Sequence, residues 1–393
     1  MIQLKDTSVE NTAALIAKAV RTAEYYGFVP LEAALARGRR TLPVQHKKEE
    51  VLFARRDEKP LMQSAKITLA VNKRDFEVPL VWRIVKYPAG IRSNFPCITL
   101  ELHALGAPTA IAEALLIIVS NAIAEEIGVQ KRVLSINSIG SMESSNRFIR
   151  DVSSFLRKHI DSISPALRPR AATDPLGTMI HLFEKGHPAM PRAPQSVDYL
   201  TEDERRRFWD LLEYLEISGV PYELNSSILG SRDLWSHTLF ELSSLDEETG
   251  AKVPFAVGGR YDPLATRLLA SPASAAVATI ITEIRGKSKM QPAKKITPLL
   301  YFAHLGPDAR RKVLPVLEML RRADIPVEQS LMHERLHEQM ERAKSTHVPY
   351  LLIMGHKEAM EGTVLVREVA TNSQEAVLVP DLTSYLRRQR VLA

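Results

Sequence analysis

The sequence predicts an α+β domain built on an antiparallel sheet, followed by a small α/β domain. Residues 80–103 alternate apolar and polar side chains around a turn at Gly90, which is typical of paired antiparallel strands. Near the C-terminus, strands and helices alternate, which favours a largely parallel sheet. A basic, Pro-containing segment lies between the two patterns. We therefore expect domains at 1–290 and 299–393, joined by a linker at 291–298.

Composition bounds the class of protein. The chain has 393 residues, 45% of them hydrophobic and 25% charged, which is ordinary for a folded protein with two or three cores. The most apolar stretch, residues 110–124, is interrupted by Glu113, Ser120 and Asn121, so it favours a buried helix over a membrane span. The first residues carry charge without an apolar segment, so we expect no secretory signal.

Cysteine content and charge bear on compartment and partners. The single cysteine, Cys97, precludes an internal disulfide and fits a reducing compartment, so we expect a cytoplasmic protein. With no second cysteine and no HExxH motif, we expect no metal site. The net charge of +6 and pI of about 9.2 favour a polyanionic partner such as RNA, although many basic proteins bind no nucleic acid.

The sequence predicts several helices in the first domain. Apolar residues recur at helical spacing in 9–26, 109–127 and 141–160, and glycines stop the first two segments. Thr201, with Glu204 three residues later, forms a capping box that opens a further helix.

The strand signals complete the secondary structure. Around the strands of the first domain we expect an irregular, partly helical insertion near 141–200. Strands of the first domain are predicted at 133–139, 221–224 and 235–242, and residues 273–285 are consistent with a tightly packed strand-to-helix element. In the last domain, strands are predicted at 299–303, 327–331, 350–355 and 363–369, and helices at 308–323 and 333–345.

Several strings resemble the class II histidyl-tRNA synthetase family. Those in the first domain are ITLELHALGAPTAIAEA (98–114), LSINSIG (134–140), SHTLFEL (236–242) and GGRYD (258–262). Those in the last domain, which resemble the family's anticodon-binding domain, are ADIPVEQS (323–330), ERAKSTHVPYLLIMGHKE (341–358) and GTVLVREVAT (362–371).

The resemblance implies a fold, an activity and partners. The fold would be an α+β class II aminoacyl-tRNA synthetase-like antiparallel sheet domain, six-stranded with helices on one side, followed by an α/β anticodon-binding-like domain. A homodimer is implied, with residues 26–31 at the dimerisation motif. An active member would join histidine to tRNA, using ATP with Mg²⁺.

Two arginines are the nucleotide-binding candidates that the resemblance implies. Arg83, in WRIVKYPAGIRSNF, matches the arginine that holds the ATP α-phosphate, and a strand-surface arginine is the alternative. Arg285 matches the arginine that stacks on adenine. Substitutions surround both arginines: Val85, Pro88 and Cys97 replace an acidic residue and two glutamines, and Ala278, Thr282 and Ile284 replace two glycines and a glutamate. We expect the side chains at the two glycine positions, Ala278 and Thr282, to crowd a nucleotide.

Further positions match the family's amino-acid pocket. Glu101 corresponds to the glutamate that engages the substrate, with a structural ion pair as the alternative role. Tyr261 corresponds to the tyrosine that meets the imidazole. The remaining amino-acid-binding candidates are Asp233, Gly258, Gly259 and Arg260. Structural bracing by Arg260 and Asp262 is the alternative reason for this motif.

Gly230 stands where the resemblance implies the catalytic arginine. That arginine stabilises charge at the reacting carboxylate and phosphate, and losing such a group costs on the order of 100-fold in rate. Arg232 is two positions away, a displacement of roughly 7 Å along an extended chain. The tyrosine pair that follows in the family is Leu234-Trp235 here. No residue is therefore assigned a catalytic role.

Lysine and arginine residues give the last domain a basic character. Contact with RNA is one interpretation of them, and a solvated charged face is the other. The RNA-binding candidates are Lys344, Lys357, Arg367, Arg387 and Arg388.

Three functions follow from these substitutions. We favour a histidyl-tRNA synthetase-like protein with impaired or lost aminoacylation, acting as a tRNA-binding or regulatory module. An active histidine–tRNA ligase is the alternative, and a dimeric scaffold with an unknown protein partner is the third. The family's regulatory relative, the partner of ATP phosphoribosyltransferase, generally lacks the C-terminal domain that this sequence carries.

Overall fold

The protein contains two sheets connected in sequence. Its structure, a computed structural model, describes residues 12–37, 55, 58–71, 80–91, 96–246, 249–283, 298–333 and 335–388. The predicted linker at 291–298 lies outside the described residues except for Pro298.

The first sheet has eight strands in the order β1-β2-β3-β8-β7-β6-β4-β5. The six strands from β2 to β4 pair antiparallel, which confirms the six-stranded antiparallel sheet, and the short edge strands β1 and β5 pair parallel to their neighbours. The strands are β1 (Val29–Pro30), β2 (Leu80–Tyr87), β3 (Cys97–Leu105), β4 (Arg132–Ser138), β5 (Tyr222–Leu224), β6 (Ser236–Leu245), β7 (Lys252–Arg260) and β8 (Ala275–Glu283).

Helices of the first unit flank this sheet, and the segment 161–200 holds two short helices and three 3₁₀ turns. The helices are α1 (Thr12–Tyr25), α2 (Leu31–Arg37), α3 (Glu58–Thr68), α4 (Ile111–Glu126), α5 (Met142–Lys158), α6 (Arg168–Thr173), α7 (Pro175–Glu184), α8 (Glu202–Ile217) and α9 (Asp262–Leu269).

Strand register defines the two faces of the first sheet. Glu101 lies directly opposite Arg83 on β2 and Thr279 on β8, and opposed residues of antiparallel strands share a face. We call this the site face. Leu102 and Ala278 pair on the other side, the core face.

Helices cover both faces, which corrects the expectation of helices on one side only. On the core face, α1, α4 and α8 pack in one large apolar cluster. On the site face, Ala65 of α3, Phe148 of α5, Met179 of α7 and Leu264 of α9 join a second apolar cluster with the strand residue Val277. The site face is therefore an interior surface.

The second sheet has five strands in the order β10-β9-β11-β12-β13. The first three are parallel as predicted, but β12 and β13 run antiparallel, so the sheet is mixed. The strands are β9 (Leu300–His304), β10 (Val327–Gln329), β11 (Tyr350–Met354), β12 (Thr363–Glu368) and β13 (Gln374–Leu378). The helices are α10 (Pro307–Arg322), α11 (Leu336–Thr346), α12 (His356–Glu361) and α13 (Leu382–Arg388).

The two units are packed together through α1. The Tyr25 hydroxyl donates to the carbonyls of Leu317 and Ile325 at 3.2 and 3.1 Å, and Gln329 Nε2 donates to the carbonyl of Tyr26 at 2.8 Å. The apolar cluster of the core face continues into the second sheet. No helix in the described part of the chain is long and apolar enough to cross a membrane.

Candidate functional site

Glu101 lies at the centre of the site face, is fully buried, and has both carboxylate oxygens engaged. Its Oε2 accepts a 2.5 Å hydrogen bond from Ser64 Oγ and lies 3.7 Å from Nε of Arg83. Its Oε1 accepts a 3.2 Å hydrogen bond from Tyr87 Oη. This geometry matches the structural ion pair that the sequence left as the alternative role of Glu101.

His103 lies beside Glu101 and was missed by the sequence reasoning. Its Nδ1 is 2.9 Å from Tyr261 Oη, and its Nε2 is 3.3 Å from Ser64 Oγ and 3.8 Å from Glu101 Oε2. Strand alternation was the signal, because residues 101 and 103 of one strand must share a face. Burial raises the pKa of Tyr261 well above its usual value, so its hydroxyl stays protonated.

The backbone at Gly230 lies against the indole ring of Trp235. A Cβ on Gly230 would lie 2.5 Å from Trp235 Cδ1 and 3.2 Å from Glu58 Oε1. Glu58 of α3 accepts hydrogen bonds from Ser231 N at 2.7 Å and from Trp235 Nε1 at 3.2 Å. The position of the family's arginine therefore lacks room for even a β-carbon unless its neighbours shift.

Arg232 does not point into this space. Its side chain is exposed and donates through Nη1 to Asn146 Oδ1 on α5. Asp233 lies on the same loop and lines a cleft of about 540 Å³ with His237 and Asp262. Burial, then the charges of Arg207 and Arg260, lower the pKa of His237 to about 4, so this imidazole is neutral at pH 7.

Gly258 and Gly259 allow close packing within the sheet. A Cβ on Gly258 would lie 2.3 Å from the carbonyl of Val277 and 2.4 Å from Cζ of Phe240. A Cβ on Gly259 would lie 2.5 Å from the carbonyl of Thr238. The close approach of the neighbouring strands is therefore sufficient to explain why both positions are glycine.

Arg260 holds α4 against the end of β7. Its guanidinium group makes a bidentate pair with Glu113, at 2.6 and 3.0 Å, and donates to the carbonyl of Ala107 at 2.9 Å. Burial alone would raise the pKa of Glu113, but the guanidinium groups of Arg260 and Arg207 lower it to about 2. The Arg260 side chain therefore links β7 to α4, which agrees with the alternative role in structural bracing.

The structure bears on some of the residues that were predicted to lie near a bound nucleotide. Arg285 and Ile284 lie outside the described residues. Ala278 and Thr282 point to the core face, because they pair with Leu102 and with Ile98, so they do not share the face that carries Arg83. The alternation of β8 decides this, and it could have been applied to the sequence.

The described residues of the site face do not fit a magnesium nucleotide. The guanidinium of Arg83 is directed at Glu101 and at Ser64, whose Oγ accepts from Nη1 at 3.4 Å. Position 230 supplies no charge. Within the described ranges, no group of three or more His, Cys, Asp or Glu side chains is placed to hold a metal ion.

The five basic RNA-binding candidates lie on two sides of the second sheet. Arg367 follows Val366 on β12 and so points to the side covered by α11, where Lys344 lies. The other three, which belong to helices packed on the opposite side, are Lys357, Arg387 and Arg388. Lys344 Nζ is 2.9 Å from Glu341, and Arg367 Nη2 donates to Asn372 Oδ1 at 2.7 Å.

Comparisons with known proteins agree with this architecture. Residues 302–389 match a family model described as an anticodon binding domain. The chain is 27% identical over 314 residues to histidine--tRNA ligase 1 of Shouchella clausii, covering 79% of this chain and 73% of that protein. It is 28% identical over 319 residues to the histidine--tRNA ligase of Cyanothece sp., covering 79% and 72%. The apo histidyl-tRNA synthetase structure from S. aureus aligns over 98% of this chain and 99% of that one, with a TM-score of 0.47 and 18% identity.

The sheet order, the second unit and the sequence matches define a class II aminoacyl-tRNA synthetase-like protein with a C-terminal anticodon-binding domain. Within that class, the sequence matches support a member of the histidyl-tRNA synthetase family.

Proposed function

We propose that this chain is a histidyl-tRNA synthetase-like protein that has lost aminoacylation and acts in the cytoplasm as a homodimeric tRNA-binding or regulatory module. The observation that carries the proposal is the closed backbone at Gly230, where a β-carbon would lie 2.5 Å from Trp235 Cδ1 and 3.2 Å from Glu58 Oε1. Adenylation requires a fixed positive group beside the reacting carboxylate, and loss of such a group costs on the order of 100-fold in rate.

The closed site face supports the same proposal. A substrate amine that bound Glu101 would displace contacts from Ser64, Arg83 and Tyr87, all of which are already made. Displacing hydrogen bonds to a buried carboxylate costs about 1–3 kcal/mol each if they are not replaced. Substrate binding would therefore first have to break contacts that Glu101 makes with α3 and with β2.

An active histidine–tRNA ligase, with ATP and Mg²⁺ as co-substrates, remains the second candidate. It is favoured by the names of the relatives and by the proximity of Arg83, Glu101 and Tyr261 in one network. One observation opposes it. Position 230 is a glycine, and Arg232, which could have supplied the missing positive charge, points to Asn146 instead. The two candidates differ in one property, the ability to form an adenylate.

The second unit carries the proposed RNA contact. We place it on the side that bears Arg367 and Lys344, since α10, on the opposite side, is packed against the first unit. Beside Arg367, the residues of β13 on that side are exposed, so a phosphate backbone can approach them. The proposal keeps the domain boundaries predicted from the sequence, with one domain at residues 1–290 and the other at 299–393.

A filter-binding titration with total tRNA over a range of salt concentrations tests the RNA contact. We expect the wild type to bind, and the double variant Arg367→Ala/Lys344→Ala to bind more weakly, with a salt slope reduced by about 2. The matched control is Lys357→Ala/Arg388→Ala, which removes the same charge from the opposite side and should bind like the wild type. Salt-independent or absent binding by the wild type would contradict the proposal.

A further inference from the structure

The cleft of about 540 Å³ lies at one end of the first sheet, where β4 and β7 end and β6 begins. Its walls come from the start of α5, from the loop that leads into β6 and from α9. None of the residues that contact Glu101 lines it, so it is separate from the network on the site face. We call it the end cleft, and its polar lining residues include Asp233, Ser236, His237 and Arg267.

Two buried polar atoms at the end cleft have no hydrogen-bond partner among the residues that the structure describes. They are Oγ of Ser236, a residue that is only 4% exposed, and Nδ1 of His237. Buried polar atoms are nearly always hydrogen-bonded, because an unpaired one costs stability. Two such atoms beside a cleft therefore indicate a partner that enters from outside the chain.

The backbone of His237 does not require the imidazole. Its φ of 52° lies in the left-handed region, which favours glycine. Its N–H donates to the carbonyl of Gly140 at 2.7 Å, and its carbonyl accepts from the N–H of Ile139 at 2.8 Å. Since these contacts use only the backbone, glycine would serve the fold equally well. The ring of His237 is therefore available for a role other than folding.

Two opposite charges line the end cleft without pairing. The Asp233 carboxylate and the Arg267 guanidinium make no ion pair or hydrogen bond with each other or with the other described side chains. An anion would be repelled by the first group and a cation by the second. A hydroxyl group suits both, because it donates to a carboxylate and accepts from a guanidinium. Met142 and Pro263 add apolar surface that suits the C–H groups of a ring.

We infer that the end cleft binds a small neutral molecule with several hydroxyl groups, about the size of a monosaccharide. Its hydroxyl groups donate to Asp233, accept from Arg267 and supply the missing partners of Ser236 and His237. The volume of the cleft lies within the range of about 300–1,000 Å³ that is common for small-molecule sites. The inference goes beyond the proposed function, because neither the loss of aminoacylation nor the RNA contact involves these four side chains.

Saturation-transfer NMR of the full-length chain with D-ribose and with D-glucose tests this inference. We expect a saturable signal from at least one of the two sugars, with a Kd on the order of 1 mM. Asp233→Ala and Ser236→Ala should each weaken that binding by up to about tenfold, because each removes a hydrogen-bond partner of the sugar. His237→Gly should fold, since glycine adopts the same φ, and should also bind more weakly.

Ser243→Ala is the matched control on the same strand. Ser243 is also fully buried, but its Oγ already donates to Glu241 Oε1 at 3.1 Å. Ser243→Ala should therefore lower the Tm and leave the Kd for the sugar unchanged. Ser236→Ala should do the reverse, because its hydroxyl has no partner within the described chain: the Tm of the free protein stays the same or rises, and binding weakens.

Two further probes separate the neutral sugar from other ligands. Glycine, a zwitterion, could bridge Asp233 and Arg267, and cyclopentanol offers a ring with a single hydroxyl group. Binding of glycine in place of the sugars, or equal binding of cyclopentanol, would overturn the inference. So would the absence of a saturable sugar signal, or a signal that neither Asp233→Ala nor Ser236→Ala weakens. Any of these results with tRNA binding intact would reject this inference alone.

Discussion

The closed space at Gly230 depends on three neighbouring groups. The Trp235 ring lies over the glycine, and the Glu58 carboxylate holds that ring through its Nε1 and holds the next backbone amide, that of Ser231. Tryptophan at position 235, where the family has a tyrosine, and glycine at 230 are therefore two parts of one packing arrangement. A single reversion at 230 cannot restore the family's geometry.

Gly230→Ala tests this packing directly. The added Cβ would lie 2.5 Å from the indole, so the ring must move, and such overpacking costs about 1–3 kcal/mol of unfolding free energy. Urea unfolding measures the loss. Arg232→Ala, two positions away and exposed, is the control and should change the stability by less than about 0.5 kcal/mol. Equal stabilities for Gly230→Ala and the wild type would show that the space is open.

At the scale of residues, the sequence showed which side chains occupy the site positions, but it did not show which residues they contact. The substitution at Gly230 was visible in the sequence, but its consequence depends on Glu58 of α3, which is 172 positions away. The pairing of Arg260 with Glu113 was likewise invisible, because only the fold brings α4 to the end of β7. Long-range partners of buried charges leave no local signal.

At the scale of elements, Glu204 joins two helix starts. Its Oε2 accepts from the backbone N–H of Thr201, which completes the capping box of α8, and from Ser144 Oγ. Its Oε1 accepts from the N–H of Ser141 at the start of α5. Burial alone would raise the pKa of Glu204, but the hydrogen bonds from Ser144, Thr201 and Ser141 lower it to about 2.

Glu204→Ala should therefore weaken two helices at once. Each lost cap costs about 1 kcal/mol, so we expect a loss of roughly 2 kcal/mol in urea unfolding near neutral pH. The folded-state pKa is below the unfolded one, so the contribution is present above about pH 4.5 and is lost as the pH falls toward 2. Glu202→Ala, exposed on the same first turn, is the control. A difference between Glu204→Ala and the wild type that persists at low pH would contradict this role.

Helices and strands with a strong local sequence signal could be predicted. Those that form only through pairing with a neighbouring strand could not. The capping box at Thr201 and the strand pair around Gly90 are confirmed, because both signals are local. Strand β13 was missed because four of its five residues are exposed and show no apolar alternation. Its pairing with β12 creates the strand and makes the second sheet mixed.

At the scale of the whole molecule, the two units pack against each other around Tyr26. Tyr26 is fully buried, and its hydroxyl donates to Glu318 of α10, which also pairs with Arg321 and Arg322. Phe28 and Leu31 are buried as well, whereas Gly27 is exposed. Movement of the second unit would disrupt this arrangement.

Tyr26→Phe tests whether the units unfold together. Because the apolar cluster is continuous, calorimetry of the wild type should show one main transition. Losing the hydroxyl should cost about 1–2 kcal/mol and lower that transition by a few degrees. Tyr199→Phe, whose hydroxyl meets the exposed Asp151, is the matched control and should have little effect. Two separate wild-type transitions, neither affected by Tyr26→Phe, would contradict the coupling.

Histidine-dependent ATP–pyrophosphate exchange is the most direct measurement of whether the site face is closed to substrates. We predict that the purified full-length chain with Mg²⁺, ATP and saturating histidine exchanges no more pyrophosphate than a reaction without histidine. A histidine-dependent rate like that of an active synthetase, on the order of 1 per second or faster, would contradict the account, because it requires substrates in a space now occupied by α3 and Trp235.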